Sequence, residues 1–445
     1  MSPPLSVPFT ARVARLRIAP KAALALSLIA AAYGALAAPQ PQPLTLGEAQ
    51  QRAVARSRQL GAQDQAVNAA NEMAVAAGQL PDPVLKVGID NLPVSGPDRL
   101  SLGNDFMTMR RIGLSQELTR ADKLHWRSAR YQIEGDKALA QKQVALAAIQ
   151  RDTAIAWMEV FYTEEMAGAV SAQAAVSRQE IEAAEAAYRG GRGSSADILA
   201  ARSALLALDD RTSEIRRRQR AAHTMLARWT GDDTPVAGAP DIEHIRLDPA
   251  SLDADLAHHP EIAVLNKQED IAQADANLAR ANRHTDWSVE VAFQQRGSAY
   301  SNMVSVGISV PLQWDRKNRQ DRELAAKLAL VEQTKAERDE MLREHVAGTR
   351  TMLIAWQSGL ERIARYTRES LPLAAERSQA VLVAYRGGKA SLAEVLAARR
   401  GEVDVRLQSL ELGLETSRLW AQLNFLFPEG GAAQHSVTDR NQESK

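Results

Sequence analysis

The residues best suited to chemistry in this chain are two methionines, two histidines and a few acids. Met107 and Met109 lie two positions apart, and a thioether sulfur is a ligand that soft cations such as Cu(I) prefer. The more ordinary interpretation is that both are strand residues that pack or face lipid. His258 and His259 are adjacent, so they would not share one face of a helix, and Pro260 after them favours a loop or a helix start.

The remaining candidates form no recognisable catalytic arrangement. The other histidines show no ligand spacing, and the sequence contains no Ser/His/Asp arrangement, phosphate-binding loop or metal triad. Cysteine is absent, which excludes disulfides, thiolate metal sites and a lipoprotein anchor on cysteine. The sequence therefore predicts that the protein is not an enzyme, carries no cofactor and has no metal site beyond the two methionine candidates.

The composition indicates long, closely packed helices. The 445 residues carry 54 basic and 54 acidic side chains, so no overall positive field supports nucleic-acid binding. Hydrophobic residues make up 45% of the chain and aromatic residues only 4%, so alanine, leucine and valine dominate. Alanine is the residue that costs least in a helix, which favours a mainly helical fold.

The N-terminus has the pattern of a secretory signal. Basic residues precede the apolar run 22–37, which ends in a small-residue cleavage site. A membrane anchor is the alternative, but the run is shorter than the roughly 20 residues that a spanning helix needs. We therefore predict a signal peptide over 1–37 and a mature chain outside the cytoplasm. The polar, glycine-rich segment 429–445 is predicted to be a disordered tail.

The rest of the chain divides into two similar halves, 38–246 and 247–428. Each half opens with a helical segment. That of the first half, 44–80, contains no proline and is predicted as one helix. Two segments of period-two alternation follow in each half and predict strands. The predicted strands are about 83–92, 106–118, 287–295 and 303–312.

The alternating strands are compatible with two environments. One face could cover a soluble core, or the two faces could meet lipid and lumen in an outer-membrane barrel. Four strands cannot close a barrel alone, whereas three chains would supply twelve. In the barrel interpretation the polar side chains that face the lumen are Lys86, Asp90, Ser288 and Glu290.

A very long helical stretch follows each pair of strands, over about 119–187 and 316–386. Seventy helical residues span roughly 100 Å at 1.5 Å per residue. Helices of that length bury themselves against one another, and the seven-residue spacing of Leu396, Val403 and Leu410 indicates coiled-coil packing.

Each long helix ends in the same glycine turn. Residues 188–202 and 385–399 are identical at ten of fifteen positions, at a constant offset of 197. The Gly-Gly pair of each turn is predicted to supply the positive φ that a helix end needs. Asp197 and Glu394 fall in the first turn of the returning helix, where its dipole favours an acid. The candidate caps of the returning helices are Ser194, Ser195 and Ser391.

This order of elements resembles the TolC family of outer-membrane efflux proteins. The resemblance covers about residues 44–428 and rests on the combination of a signal peptide, two helix–hairpin–long helix–turn–helix copies and a Tyr-x-x-Gly turn followed by an acid. It implies a homotrimer with a twelve-stranded β-barrel in outer-membrane lipid and a periplasmic α-barrel of long antiparallel helical hairpins. The partners it implies are a periplasmic adaptor protein and an inner-membrane RND pump.

The resemblance also implies functional residues. The turns at the closed end of the tunnel would dock on the adaptor, and the acids just after them would narrow the pore. The pore acid corresponds to Glu394, with Asp197 as its repeat partner, while the next family acid corresponds to Ala397. The docking residues would be Tyr188, Arg189, Gly190, Gly191 and Ser194 in the first turn, and Tyr385, Arg386, Gly387, Gly388 and Ser391 in the second.

A finer resemblance concerns the cargo. The stretches LPDPVLKVGIDNLPV at 80–94 and DFMTMRRIG at 105–113 resemble the CzcC-like branch, which serves heavy-metal efflux pumps. The resemblance implies a passive exit duct for heavy-metal cations. The same duct serving organic compounds or type I secretion is the alternative. A secreted structural coiled-coil protein is more remote, because it leaves the two alternating hairpins unexplained.

Overall fold

The computed structural model describes residues 43–232 and 236–429. The segment identified as a signal peptide, 1–37, and residues 430–445 of the segment identified as a tail lie outside the described residues. Within the described ranges, none of the helices is both long enough and apolar enough to cross a membrane.

The chain is built mainly of helices, with one small sheet. The helices are α1 (Leu46–Arg56), α2 (Arg58–Ala77), α3 (Ala121–Arg189), α4 (Ser195–Thr230), α5 (Leu252–Leu256), α6 (Pro260–Ala281), α7 (Gln320–Arg365), α8 (Leu371–Arg386) and α9 (Leu392–Asn424). The strands are β1 (Val84–Asp90), β2 (Met109–Leu118), β3 (Trp287–Gln295) and β4 (Met303–Ser309). Each half therefore runs through helix, two strands, long helix, turn and helix, which confirms the predicted fold class.

Two of the predicted continuous helices are interrupted, and the predictions for 44–80 and 316–386 were wrong in this respect. The first breaks at Ser57, whose backbone is extended and whose hydroxyl accepts the Leu60 N–H at 3.3 Å, so this side chain starts a new helix. The second contains a π-helical turn, Tyr366–Ser370, between α7 and α8. Pro372 follows it and has no N–H to donate, which explains the locally widened helix.

All four strands form one antiparallel sheet in the order β1-β2-β3-β4. The two halves meet in its middle, where β2 pairs with β3 from Leu118 opposite Trp287 to Arg110 opposite Gln295. Among the described residues, β1 and β4 each pair on one side only. The sheet is therefore an open piece with two free edges.

Three strand ends differ from the prediction, each for a local reason. β2 begins at Met109 rather than near 106 because the Asp105 carboxylate accepts the N–H groups of Met107 and Thr108, over 2.8 and 3.1 Å. β1 ends at Asp90 because Asn91 has a φ of 57°. β4 ends at Ser309, two residues before Pro311, whose nitrogen cannot donate to a ladder.

The pleat separates an apolar face from a polar one, as the alternation predicts. The apolar face is exposed in the chain, and Val87, Val304 and Val306 are 74%, 69% and 70% accessible. The apolar strand residues on this face are Leu85, Val87, Ile89, Ile112, Leu114, Leu118, Trp287, Val289, Val291, Phe293, Val304, Val306 and Ile308. Three polar residues, Arg110, Gln116 and Gln295, share the face towards the ends of the strands. A hydrophobic surface of this kind in an otherwise well-packed chain marks an interaction site.

The helical core is formed where α3 packs against α4 and α9. Its largest fully buried side chains include Met158 and Met166 of α3 and Leu226 of α4. Gly413 of α9 allows close approach, since a Cβ there would lie 2.6 Å from the ring of Tyr162. The core thus depends on small residues as well as large ones.

Two tryptophans at corresponding places in the repeat fix the connecting segments. The Trp157 indole N–H donates to the Leu44 carbonyl over 2.7 Å, and that of Trp356 donates to the Ile242 carbonyl over 3.2 Å. Both indoles are almost completely buried, so each hydrogen bond satisfies a polar atom that water cannot reach. The structural repeat therefore extends beyond the glycine turns to the interior.

Candidate functional site

The two glycine turns have the same construction. We call residues 188–195 the first tip and residues 385–391 the second tip. The Arg192 N–H donates to the Ala187 carbonyl over 2.9 Å, and the Lys389 N–H donates to the Ala384 carbonyl over 2.8 Å. Each bond spans five residues backward and is the long bond of a Schellman helix end. The tyrosine and arginine of each tip belong to the last turn of the outgoing helix.

Only the second glycine of each pair has a positive φ. The value is 72° at Gly191 and 74° at Gly388, whereas Gly190 and Gly387 have φ of −84° and −83°. The prediction that each Gly-Gly pair supplies the positive φ is therefore confirmed, and the second glycine is the one that supplies it. A Schellman end needs the left-handed conformation at one position only, directly beyond the cap.

Reciprocal capping boxes begin the returning helices, with Ser194 and Ser391 as caps. The Asp197 carboxylate accepts both the N–H and the hydroxyl of Ser194 at 2.8 Å, and the Glu394 carboxylate accepts those of Ser391 at 2.7 and 2.9 Å. The backbone hydrogen bond from each serine, followed by its hydroxyl, lowers the pKa of the acid. Both acids therefore stabilise the caps at neutral pH, and this is lost as pH falls through the lowered pKa.

We expect alanine at Ser194 to destabilise the first turn of α4 by about 1 kcal/mol, because the Asp197 N–H loses the hydroxyl that accepts it. Alanine at Ser195 should have little effect, since Ser195 is the first helical residue and Ser194 is the cap. Hydrogen exchange at the Asp197 amide measures the difference. Equal exchange rates in the two variants would contradict the capping assignment.

The helices beside the two tips contact each other through a small apolar cluster. Its buried members are Ala184, Ala201, Leu392 and Val395. Tyr385 packs against this cluster and is partly buried, whereas Tyr188 is 52% exposed. Leu392 is buried at the position where the first tip has the exposed Ser195. The tips thus share a backbone turn but present different surfaces.

The polar face of the sheet carries a second group of functional candidates. Lys86 Nζ lies 2.7 Å from Glu290 Oε2, and Arg111 contacts the same carboxylate. The Arg111 guanidinium also lies 3.9 Å from Asp90 Oδ2. Lys86 on β1 reaches β3 across its register partner Gly113, which has no side chain. The sequence named the lysine and both acids as lumen residues but missed Arg111.

The two candidate methionines occupy different environments. Met109 is the first residue of β2, paired with Asp90, so its side chain lies on the polar face. Met107 lies in the preceding loop and is 47% exposed. Both therefore stay candidates for contact with a passing soft cation.

Sequence reasoning also missed a cluster formed by His259, Glu261 and His345. Between His259 and His345 lie α6, both strands β3 and β4 and the first half of α7, so no local spacing relates the two histidines. The expected helix start after His259 is confirmed, because Pro260 opens α6 and His259 is its cap. Only the packing of α7 against α6 brings the third side chain to the first two.

Comparisons with known proteins point to one kind of molecule. No protein-family model matches the chain. Over 333 residues it is 25% identical to the cobalt-zinc-cadmium resistance protein CzcC of Cupriavidus metallidurans. The aligned stretch covers 71% of this chain and 77% of CzcC. The outer-membrane channel OprN superposes with a TM-score of 0.73 at 16% identity, covering 86% of this chain and 90% of OprN. The CmeC outer membrane channel of Campylobacter jejuni gives 0.72 at 10%, covering 90% of each chain.

These comparisons confirm the predicted fold, with its helical and sheet parts, and the resemblance to outer-membrane efflux channels and to CzcC. OprN and CmeC are themselves outer-membrane channels. The roles predicted for the tip residues and for Asp197 and Glu394 stay predictions.

Proposed function

We propose that this chain, a homologue of a cobalt-zinc-cadmium resistance protein with the fold of the TolC-like outer-membrane channels, is the passive exit duct of a tripartite efflux system. Its cargo in this proposal is heavy-metal cations. Its partners are two further copies of itself, a periplasmic adaptor that docks on the tips, and an inner-membrane RND pump that supplies the energy. No catalytic step is assigned to the chain.

The observation that carries the proposal is the open sheet with its exposed apolar face. In water, such a face and two unpaired strand edges would cause aggregation. In an outer-membrane barrel the apolar residues face lipid, and the free edges of β1 and β4 pair with neighbouring chains. Three four-stranded pieces give a closed barrel whose inner wall is the polar face with Lys86, Arg111 and Glu290.

The aromatic residues near the sheet support this orientation. Trp287 starts β3 and Trp314 follows β4, so both lie at the end of the sheet nearest the helices. Tyr300 lies in the loop at the opposite end, and all three side chains are exposed. Aromatic rings at both ends of an apolar band are typical of transmembrane barrels. Trp314, 89% exposed, was not identified from the sequence.

The long helices support the tunnel part of the proposal. The 69 residues of α3 extend roughly 100 Å at 1.5 Å per residue. They carry the first tip away from the sheet, and α8 carries the second tip to the same place. A secreted coiled-coil protein would share these helices, but its sheet would leave the apolar face in water.

The assignment of metal cations rests on the CzcC relative and on the stretches 80–94 and 105–113. A duct of the same architecture could instead serve organic compounds or type I secretion. We expect a deletion strain to become sensitive to zinc, cadmium or cobalt and to keep its tolerance of dyes, detergents and antibiotics. Growth on graded concentrations, with and without the intact gene, measures this.

The opposite pattern of sensitivity would exclude metal cations as the cargo. Sensitivity to organic compounds alone, restored by the gene, would overturn the metal assignment and leave the duct standing. Unchanged growth on both panels, together with protein that fractionates away from the outer membrane, would overturn the duct itself.

A further inference from the structure

His259, Glu261 and His345 bring three metal-binding atoms together outside the sheet and the tips. One ligand atom from each lies within 4.8 Å of the other two. The His345 Nε2 atom is 2.8 Å from Glu261 Oε2, and the two imidazole rings have centroids 4.7 Å apart. The first two residues begin α6 and the third lies in the middle of α7, so the cluster connects two helices.

The cluster is closed on one side and open on the other. The His259 side is covered, with that residue 6% exposed and the Phe427 ring 5.6 Å away, edge to face. The side chains of His345 and Glu261 are 18% and 48% exposed. An ion can therefore enter past the carboxylate and meet a histidine that is held in place.

The ring of the buried His259 is fixed by two hydrogen bonds. The Leu426 backbone hydrogen-bonds the ring and the Glu261 N–H donates to Nδ1 over 3.3 Å. Outer contacts of this kind orient the imidazole ring of a metal ligand. The 3.3 Å bond is long, and it is the one that an ion would replace.

The donor set defines the class of ion. Two imidazole nitrogens and one carboxylate oxygen suit borderline divalent metals such as Zn²⁺, Co²⁺, Ni²⁺ and Cu²⁺. Zn²⁺ binds its ligands at about 2.0–2.2 Å, so the ligand atoms around one ion lie closer together than 4.8 Å, the upper limit for the three atoms here. A small side-chain rotation would therefore complete the site. Three protein ligands leave a fourth position for water, which permits exchange of the ion.

We propose that His259, Glu261 and His345 form a binding site for a divalent transition-metal ion that joins the start of α6 to the middle of α7. A passive duct needs no such site, so this goes beyond the proposed function. It is independent of the cargo, because it is a property of the purified protein. The bound ion would hold the two helices and the segment around Phe427 together.

The test uses the full-length protein purified in detergent and freed of metal by a chelator. Titration with Co²⁺, followed by its visible absorption, should show one tightly bound ion per chain, displaced by Zn²⁺. His345→Ala and Glu261→Gln should each raise the dissociation constant at least tenfold. His258→Ala is the matched control, because His258 is adjacent, exposed and bonded through Nδ1 to the Ala254 carbonyl at 3.0 Å.

Clear outcomes would overturn the site. Stoichiometric Co²⁺ binding that survives both substitutions, or is lost equally with His258→Ala, would place the ion elsewhere. No binding by the wild-type protein would remove the site altogether. Glu261→Gln alters a half-exposed side chain and should keep the wild-type helical content, so loss of binding in it is not loss of fold. Co²⁺ binding with sensitivity only to organic compounds would leave this site standing and refute the metal cargo.

Discussion

Arginine in place of Val306 should prevent the protein from assembling in the outer membrane, whereas arginine in place of Ser305 should be tolerated. Val306 is in the middle of β4 on the apolar face and is 70% exposed. Its neighbour Ser305 is on the polar face, where Gln294 donates to its hydroxyl. The two changes add the same charge to adjacent residues and differ only in the face that receives it.

The expected size of the effect follows from the proposed environment. An arginine on the lipid face near the middle of a bilayer costs about 2–4 kcal/mol, and a trimer would incur that cost three times. A lumen-facing arginine remains in water. The yield of heat-modifiable, detergent-resistant trimer in outer-membrane fractions measures both variants. Equal yields, or a greater loss with Ser305→Arg, would contradict the assignment of the faces.

Leucine in place of Gly191 should strongly weaken contact with the adaptor, and leucine in place of Gly388 should weaken it less. Both glycines have a positive φ and no atom lies within 4 Å of an added Cβ, so the new side chain projects outward. The left-handed backbone costs a leucine about 1–2 kcal/mol, which a long helical hairpin tolerates. The effects differ because Tyr188 is exposed beside Gly191, while Tyr385 is packed into its own cluster.

Crosslinking of the tips to the adaptor measures this effect, and we expect at least a tenfold loss for Gly191→Leu, about 1.4 kcal/mol. Gly96→Leu is the matched control. Gly96 has a φ of 85° and equally open surroundings, but it lies in the loop between β1 and β2. Equal losses at Gly191 and Gly388, no loss at either, or a comparable loss at Gly96 would each refute unequal docking tips.

The regular elements of this fold could be predicted because their signals are local. Alternation of apolar and polar residues located all four strands, and the repeated turn located both ends of the helical hairpins. The candidate caps Ser194 and Ser391 followed from the serines between each glycine turn and the returning helix. Each of these signals lies within one element or one turn, so a single sequence contains it.

The features that the sequence did not predict depend on contacts between distant segments or on two local preferences that compete. Ser57 breaks a helix because its hydroxyl offers the backbone an alternative partner, in a segment whose alanine content favours continuation. Arg111 joins the polar cluster only through the register of three strands. His345 meets His259 only because α7 lies along α6, and the sequence contains no measure of that alignment.

The ion pairs on the polar face indicate which component of the efflux system selects the cargo. Two basic and two acidic side chains share one patch, Lys86 and Arg111 with Asp90 and Glu290, so their fields largely cancel within the Debye length of about 8 Å at physiological salt. Selective pores instead use rings of one sign. An exit with this lining would pass whatever reaches it. The pump upstream would then decide the resistance spectrum, and a bacterium could acquire resistance to a new toxin by changing the pump while keeping the exit unchanged.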